Sequence, residues 1–169
     1  TPDGDFLDIH RLDARPGAPR VVLLHGLEGT VRSHYAQGLL GVAQRRGWAA
    51  DLVIWRSCGD EPNRARRFYH SGDSQEIDWI LRRLAGNHGA EAGRKFYATG
   101  VSLGGNALLR WLGESQHQAE IVDRACAISA PLDLTAGGAE LSRGLNLAYT
   151  RIFLETLKPK CRQKLKQFP

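Results

Sequence analysis

The sequence predicts an α/β protein in which a mostly parallel sheet carries helices on both faces. Three observations lead there. Apolar bursts of strand length alternate with longer stretches of helical periodicity, the pattern of successive strand–helix–strand units. Two of the bursts, "RVVLLHG" (20–26) and "WAADLVIW" (48–55), are apolar almost throughout, as strands covered on both faces are. A third, "KFYATGVS" (95–102), passes through a glycine into a second helical stretch, so strand and helix must meet at a tight turn.

Taken in order, "DFLDIHRLD" (5–13) alternates apolar and polar residues and reads as a half-buried edge strand, closed by the turn residues of "RPGAP". The strand at 20–26 follows. From Ser33 to about Arg46 a stripe of Tyr35, Leu39, Leu40, Val42 and Ala43 marks a helix that Gly47 ends. After the strand at 48–55 comes a long polar loop, "RSCGDEPNRARRFYHSGD" (56–73). Ser74 is expected to cap the next helix, which carries Ile77, Ile80, Leu81 and Leu84 inward and stops near Gly86 and Asn87. The strand at 95–102 leads into the helix "GGNALLRWLGES", and "RACAISAP" (124–131) supplies another strand. From Thr135 onward the texture is helical, with no strand.

Composition narrows the function classes. With 42% apolar and 24% charged residues, the chain is neither a disordered tail nor a membrane-embedded bundle. Its 169 residues suit one domain, and no apolar run approaches the roughly 18 residues that span a bilayer. No charged-then-apolar stretch reads as a signal peptide. Cys58, Cys126 and Cys161 are odd in number and irregularly spaced. They match neither a disulfide framework nor a zinc site, so a reduced cytoplasmic setting is expected. The net charge of +5 includes a basic cluster, "LKPKCRQKLKQFP" (157–169). We read it as a solvated helix face; an anionic membrane surface is the lesser alternative, and nucleic acid is not expected without interleaved aromatics. The absence of any methionine and the helical pattern running into the last residues suggest a piece of a longer protein.

The segment Gly100-Val101-Ser102-Leu103-Gly104 carries the chemistry. G-x-S-x-G alone is a weak signal, and a glycine-rich junction with an incidental serine would look the same. Its placement between a buried strand and an amphipathic helix favours the functional reading. A serine held on such a turn stands at a helix N-terminus, where backbone N–H groups and the helix dipole favour developing negative charge. Gly100 and Gly104 remove side chains that would collide where strand and helix meet, and Gly105 adds room behind the turn. An acyl-transfer site needs a second donor from the loop after an earlier strand. "LLHGLEG" (23–29) supplies that loop, with Leu27 and Leu103 as the backbone N–H donors and His25 and Gly26 shaping it. His25 as a catalytic base is the weaker reading.

The phrases "LLHGLEG", "RSCGDEPNRARRFYHSGD", "GVSLGGNALLRWLGE" and "SAPLDL", in that order, resemble the YheT-like family of α/β-hydrolases, a group of serine esterases and hydrolases with lipid-acting relatives. The similarity runs from about residue 20 to the end of the chain. It implies an α/β-hydrolase fold with Ser102 as nucleophile, Leu27 and Leu103 as oxyanion donors, and an acid and a histidine completing a triad. It implies ester hydrolysis through an acyl-enzyme, on a small-molecule or lipid ester, with no metal or organic cofactor. Residues 1–135 would form the N-terminal portion of the core and 136–169 the start of a helical cap.

The triad partners are where the sequence departs from the pattern. On this fold they follow the serine in the order acid, then histidine. His117 is the one histidine after Ser102, and it lies about 20 Å away along the helix that Ser102 opens. Asp133 could serve as the acid, although the family pattern places it later. The acid and base are therefore expected beyond Pro169, leaving "RACAISAP" with an unpaired edge. In the loop 56–73, Arg56, Cys58, Asn63, His70 and Asp73 read as a loop folded on itself by arginine–carboxylate and histidine hydrogen bonds, which could also wall an acyl pocket. A metal site from Cys58 and His70 lacks further ligands at regular spacing, and Cys58 lacks the turn a nucleophile needs. The rival to an ester hydrolase is a non-catalytic hydrolase-fold binding or scaffold module.

Overall fold

The computed structural model describes residues 1–87 and 94–168; Pro169, the last residue of the expected cap segment, lies outside them. Five strands form one sheet in the order β1-β3-β2-β4-β5. β2 (Arg20–Leu24), β3 (Ala49–Ile54), β4 (Phe96–Val101) and β5 (Arg124–Ile128) are parallel, and β1 (Asp8–Leu12) runs antiparallel along β3. All six residues of β3 are buried, so both faces of the sheet are covered there. α1 (His34–Arg45) packs against β3, while α2 (Ser74–Asn87) and α3 (Leu103–Ser115) pack on each other, and α3 lies over β4 and β5. The core comprises Val22, Leu24, Leu52 and Ile54 from the sheet, Ile77, Ile80, Leu81 and Leu84 from α2, and Leu108 and Trp111 from α3. Burying a side chain of this size contributes about 2 kcal/mol.

The helix boundaries follow from local chemistry. Gly47, at φ +66°, takes the left-handed position just beyond α1, where glycine is least strained. Ser74 corrects its expected role: it is the first residue of α2, and its hydroxyl donates to the Glu114 carboxylate, tying α2 to α3. β1 is more exposed than its alternating pattern suggests, because an edge strand with one neighbour has little to cover it.

Two boundaries of the sheet differ in kind. β1 closes one edge with an antiparallel strand. β5 forms the other edge, and four of its five residues are exposed. Beyond it the chain is helical, as α4 (Leu134–Leu141), a 3₁₀ turn (Gly144–Asn146) and α5 (Leu147–Gln167). α5 continues through Pro159, a residue that removes one helical N–H and crowds the preceding turn. Leu145 and Leu132 are 94% and 79% exposed, so this region keeps little apolar surface from water.

Candidate active site

Ser102 occupies the single residue between β4 and α3, at φ +52° and ψ −117°. Few non-glycine residues adopt such a backbone, and those that do must be held by their surroundings. The neighbouring glycines show how. A Cβ on Gly100 would run into the Gly104 carbonyl and, at 2.6 Å, the Gly105 Cα. One on Gly104 would strike the backbone of Leu24 and come within 2.6 Å of the His25 carbonyl oxygen. The first turn of α3 thus sits directly on β4 and on the carboxyl end of β2. The Ser102 N–H donates to the Ile128 carbonyl at 2.8 Å, anchoring the turn to β5, while its own carbonyl accepts from the Asn106 N–H at 2.9 Å. Its hydroxyl has no hydrogen-bond partner among the described residues.

The segment after β2 lies against this serine. A Cβ on Gly26 would approach the Ser102 Cβ to 3.2 Å. Residues 26–29 form a turn in which the Gly29 N–H donates to the Gly26 carbonyl at 3.0 Å. The Gly26 N–H donates to the Tyr35 hydroxyl at 2.9 Å, and the Glu28 N–H to the Tyr69 hydroxyl at 2.8 Å. Among the described residues, the N–H groups of Leu27 and Leu103 make no hydrogen bond. An N–H in the first turn of a helix lacks an intrahelical acceptor, which accounts for Leu103.

His25 is fully buried beneath the turn. Its Nδ1 donates to the Gly26 carbonyl at 2.7 Å, and its Nε2 accepts from the Trp55 N–H at 3.1 Å. This pairing requires the neutral ring. Burial agrees with it, pulling the pKa down from its ordinary value to about 4 against the opposing Gly26 bond. With both nitrogens engaged, His25 holds the loop and has none left to accept a proton from Ser102. His117 stands in the 3₁₀ turn beyond α3, and His70 accepts from the Gly72 N–H on an exposed stretch. Asp133 is exposed and spends its carboxylate capping α4, accepting from the Thr135 and Ala136 N–H groups at 2.9 Å. None of the described histidines bonds to the Ser102 hydroxyl.

The loop 56–73 is folded on itself by bonds such as Arg67–Asp73 and Ser57–Asn63, and is tied besides to carboxylates from elsewhere in the chain. Buried Arg56 bonds to Asp5, Asp3 and Glu76. The Asp5 carboxylate accepts from the Asn63 side chain and from the Arg64 and Ala65 N–H groups. Burial pushes Asp5 upward, yet these hydrogen bonds outweigh it and hold the group well below the usual carboxylate range. Arg67 adds Asp73 and Glu76. Cys58 is buried beside Glu28 and Lys160, and burial raises its thiol to about 11, so it stays protonated rather than becoming a nucleophile. Among the described residues, no group of three His, Cys, Asp or Glu side chains could hold a metal ion.

A groove of about 870 Å³ opens between Phe6, Ile9, Thr30, Arg32, Cys58 and Arg64. Cys58 and Arg64 of loop 56–73 line it, and Ser102 does not. Sequence reasoning did not identify Tyr35, Tyr69, Glu28 or Lys160 as neighbours of the site. Only the loop phrase around Tyr69 gave a signal. No described helix is long and apolar enough to cross a membrane.

No protein-family model matches the chain. It is 39% identical over 171 residues to "Putative esterase YheT" of Escherichia coli (strain K12), an alignment covering 99% of this chain and 49% of that protein. It is 27% identical over 128 residues to the monoacylglycerol lipase of Saccharomyces cerevisiae, covering 75% of this chain and 28% of that one. Among solved structures, it matches an α/β serine hydrolase without a lid from Xanthomonas campestris with a TM-score of 0.59. That likeness, at 15% identity over 76% of this chain and 57% of the other, shows the shared fold. The chain therefore spans about half the length of the E. coli protein. The 39% identity carried over 99% of the chain, with the sheet order beside it, leads to one conclusion: the chain belongs to the YheT-like family of α/β-hydrolases.

Proposed function

We propose that this chain carries the nucleophile and oxyanion half of a carboxylic-ester hydrolase. The observation behind the reading is the strained Ser102, its hydroxyl unpartnered, set against a turn whose Leu27 N–H is also unpartnered. The Ser102 oxygen would attack the acyl carbonyl and pass its proton to a histidine. The Leu27 and Leu103 N–H groups would receive the resulting oxyanion. Collapse expels the alcohol, which takes the proton back, and leaves an acyl-enzyme that water hydrolyses by the same route. The histidine and its acid would come from polypeptide following residue 169, in keeping with the 49% coverage of the E. coli relative. The resemblance to a monoacylglycerol lipase supports an acyl ester, of short or medium chain or of a lipid, as substrate. Residues 136–169 would begin a cap over the site.

A fluorophosphonate probe and a p-nitrophenyl ester test this on the full-length protein. Ser102 should be labelled, and Ser102→Ala should abolish labelling and lower ester turnover by about 10⁴-fold or more. Residues 1–169 alone should hydrolyse the ester negligibly. An unlabelled serine in a folded full-length protein would leave the non-catalytic binding module as the reading.

A further inference from the structure

Glu28 occupies a position that its residue type does not favour. It is the third residue of the 26–29 turn, at φ +54°, where turns of this hand usually place glycine. Its side chain explains its presence. The carboxylate, almost wholly buried, accepts from the Tyr69 hydroxyl at 2.8 Å and from the Lys160 ammonium at 2.6 Å. Tyr69 thereby holds both ends of the residue, since the same hydroxyl accepts the Glu28 N–H. Lys160 comes from α5, 132 residues away in sequence. Burial pushes the carboxyl upward, but the bonds from Lys160 and Tyr69 outweigh it and keep the group ionised. Tyr69 is fixed in turn by stacking on Trp55, with ring centroids 6.1 Å apart.

The Gly26, Glu28 and Gly29 N–H groups are all occupied, and that of Leu27 is left without a partner. Freed from its bonds, Glu28 would relax toward negative φ. That change swings the peptide between Leu27 and Glu28, with the Leu27 carbonyl and the Glu28 N–H, by about half a turn, and the Leu27 N–H one peptide earlier then loses the fixed turn that positions it. We propose that Glu28, Tyr69 and Lys160 form a clasp through which α5 holds the 26–29 turn in the form that presents the Leu27 N–H to Ser102. The three are positioning residues, and the proposal rests on the ester-hydrolase reading. It couples the seating of α5 to the competence of the oxyanion site.

The test compares wild type, Glu28→Gly, Lys160→Met and Lys160→Arg in the full-length protein. It measures the rate of Ser102 labelling by a fluorophosphonate, and kcat and KM for a p-nitrophenyl ester. Glycine takes either sign of φ, so Glu28→Gly frees the turn from the clasp without adding backbone strain to the fold; the denaturation midpoint checks this. Glu28→Gly and Lys160→Met should each slow labelling and lower kcat at least tenfold, with KM within twofold of wild type. Lys160→Arg, which retains the ion pair, should keep more than half of the wild-type rate. Wild-type labelling rates in both disruptive variants would overturn the clasp and leave the hydrolase reading standing. So would a parallel rise in KM, or a failure of arginine to rescue. Absence of Ser102 labelling in the wild type would overturn the hydrolase reading, and the clasp with it.

Discussion

Ser102 and Glu28 adopt nearly the same unusual φ, +52° and +54°, a short distance apart, yet they are held by different means. Ser102 is confined by backbone: glycines at 100, 104 and 105 let strand and helix close around it. Glu28 is confined by its side chain, through a tyrosine and a lysine from distant parts of the chain. Confinement by backbone is rigid and local. Confinement by side chain depends on another helix staying in place, so it can be released.

The sharpest way to break the first mode is to fill the space it depends on. Gly104→Ala would drive a methyl group into the Leu24 and His25 carbonyls, main-chain atoms that cannot rotate away. We expect a loss of about 3 kcal/mol or more in denaturant unfolding. A loss below about 1 kcal/mol would mean that strand and helix are not so tightly joined.

A second measurement addresses the ground beneath Glu28. The His25 pKa falls from 6.5 in the unfolded chain to about 4 in the folded one. Between these values the unfolded chain takes up a proton that the folded chain refuses. Stability should therefore be intact above pH 6.5 and decline by about 3 kcal/mol as the pH falls to about 4. His25→Asn should be less stable at neutral pH but lack this part of the slope. An unchanged slope in that variant would show that His25 is not the group responsible.

The smallest effects compare the two residues directly. Ser102→Gly should stabilise the fold by about 1 kcal/mol, because strain is relieved and nothing compensating is lost. Glu28→Gly relieves similar strain but loses the ion pair with the partly exposed Lys160 and the bond from Tyr69, and should be about 1 to 2 kcal/mol less stable than wild type. Equal gains in both variants would erase the distinction between the two modes.

That distinction also explains what was legible in the sequence. The five strands, the main helices and the Ser102 junction rest on residues adjacent in the chain, where apolar runs and glycine spacing speak for themselves. The expectation of Leu27 and Leu103 as oxyanion donors rests on the same local pattern. The clasp did not, because its residues are separated by 41 and 132 positions and carry no shared motif. Asp5 was overlooked for the same reason, since its partner Arg56 lies 51 residues on. Ser74 misled: a serine ahead of a helical stripe suggests a cap, but its hydroxyl turned to Glu114 instead.

The burial of Asp5 has a practical consequence for anyone trimming this protein. A boundary drawn at Arg20, where the parallel sheet begins, looks natural and would discard the first strand along with the preceding residues. It would also leave the Arg56 guanidinium in the interior with Glu76 as its remaining carboxylate, and strip Asn63, Arg64 and Ala65 of their acceptor. Removing one partner of such a buried group costs about 3 to 5 kcal/mol, a large share of what holds a domain together. The opening residues act as a keystone for a loop half a molecule away, and shortened versions should retain them.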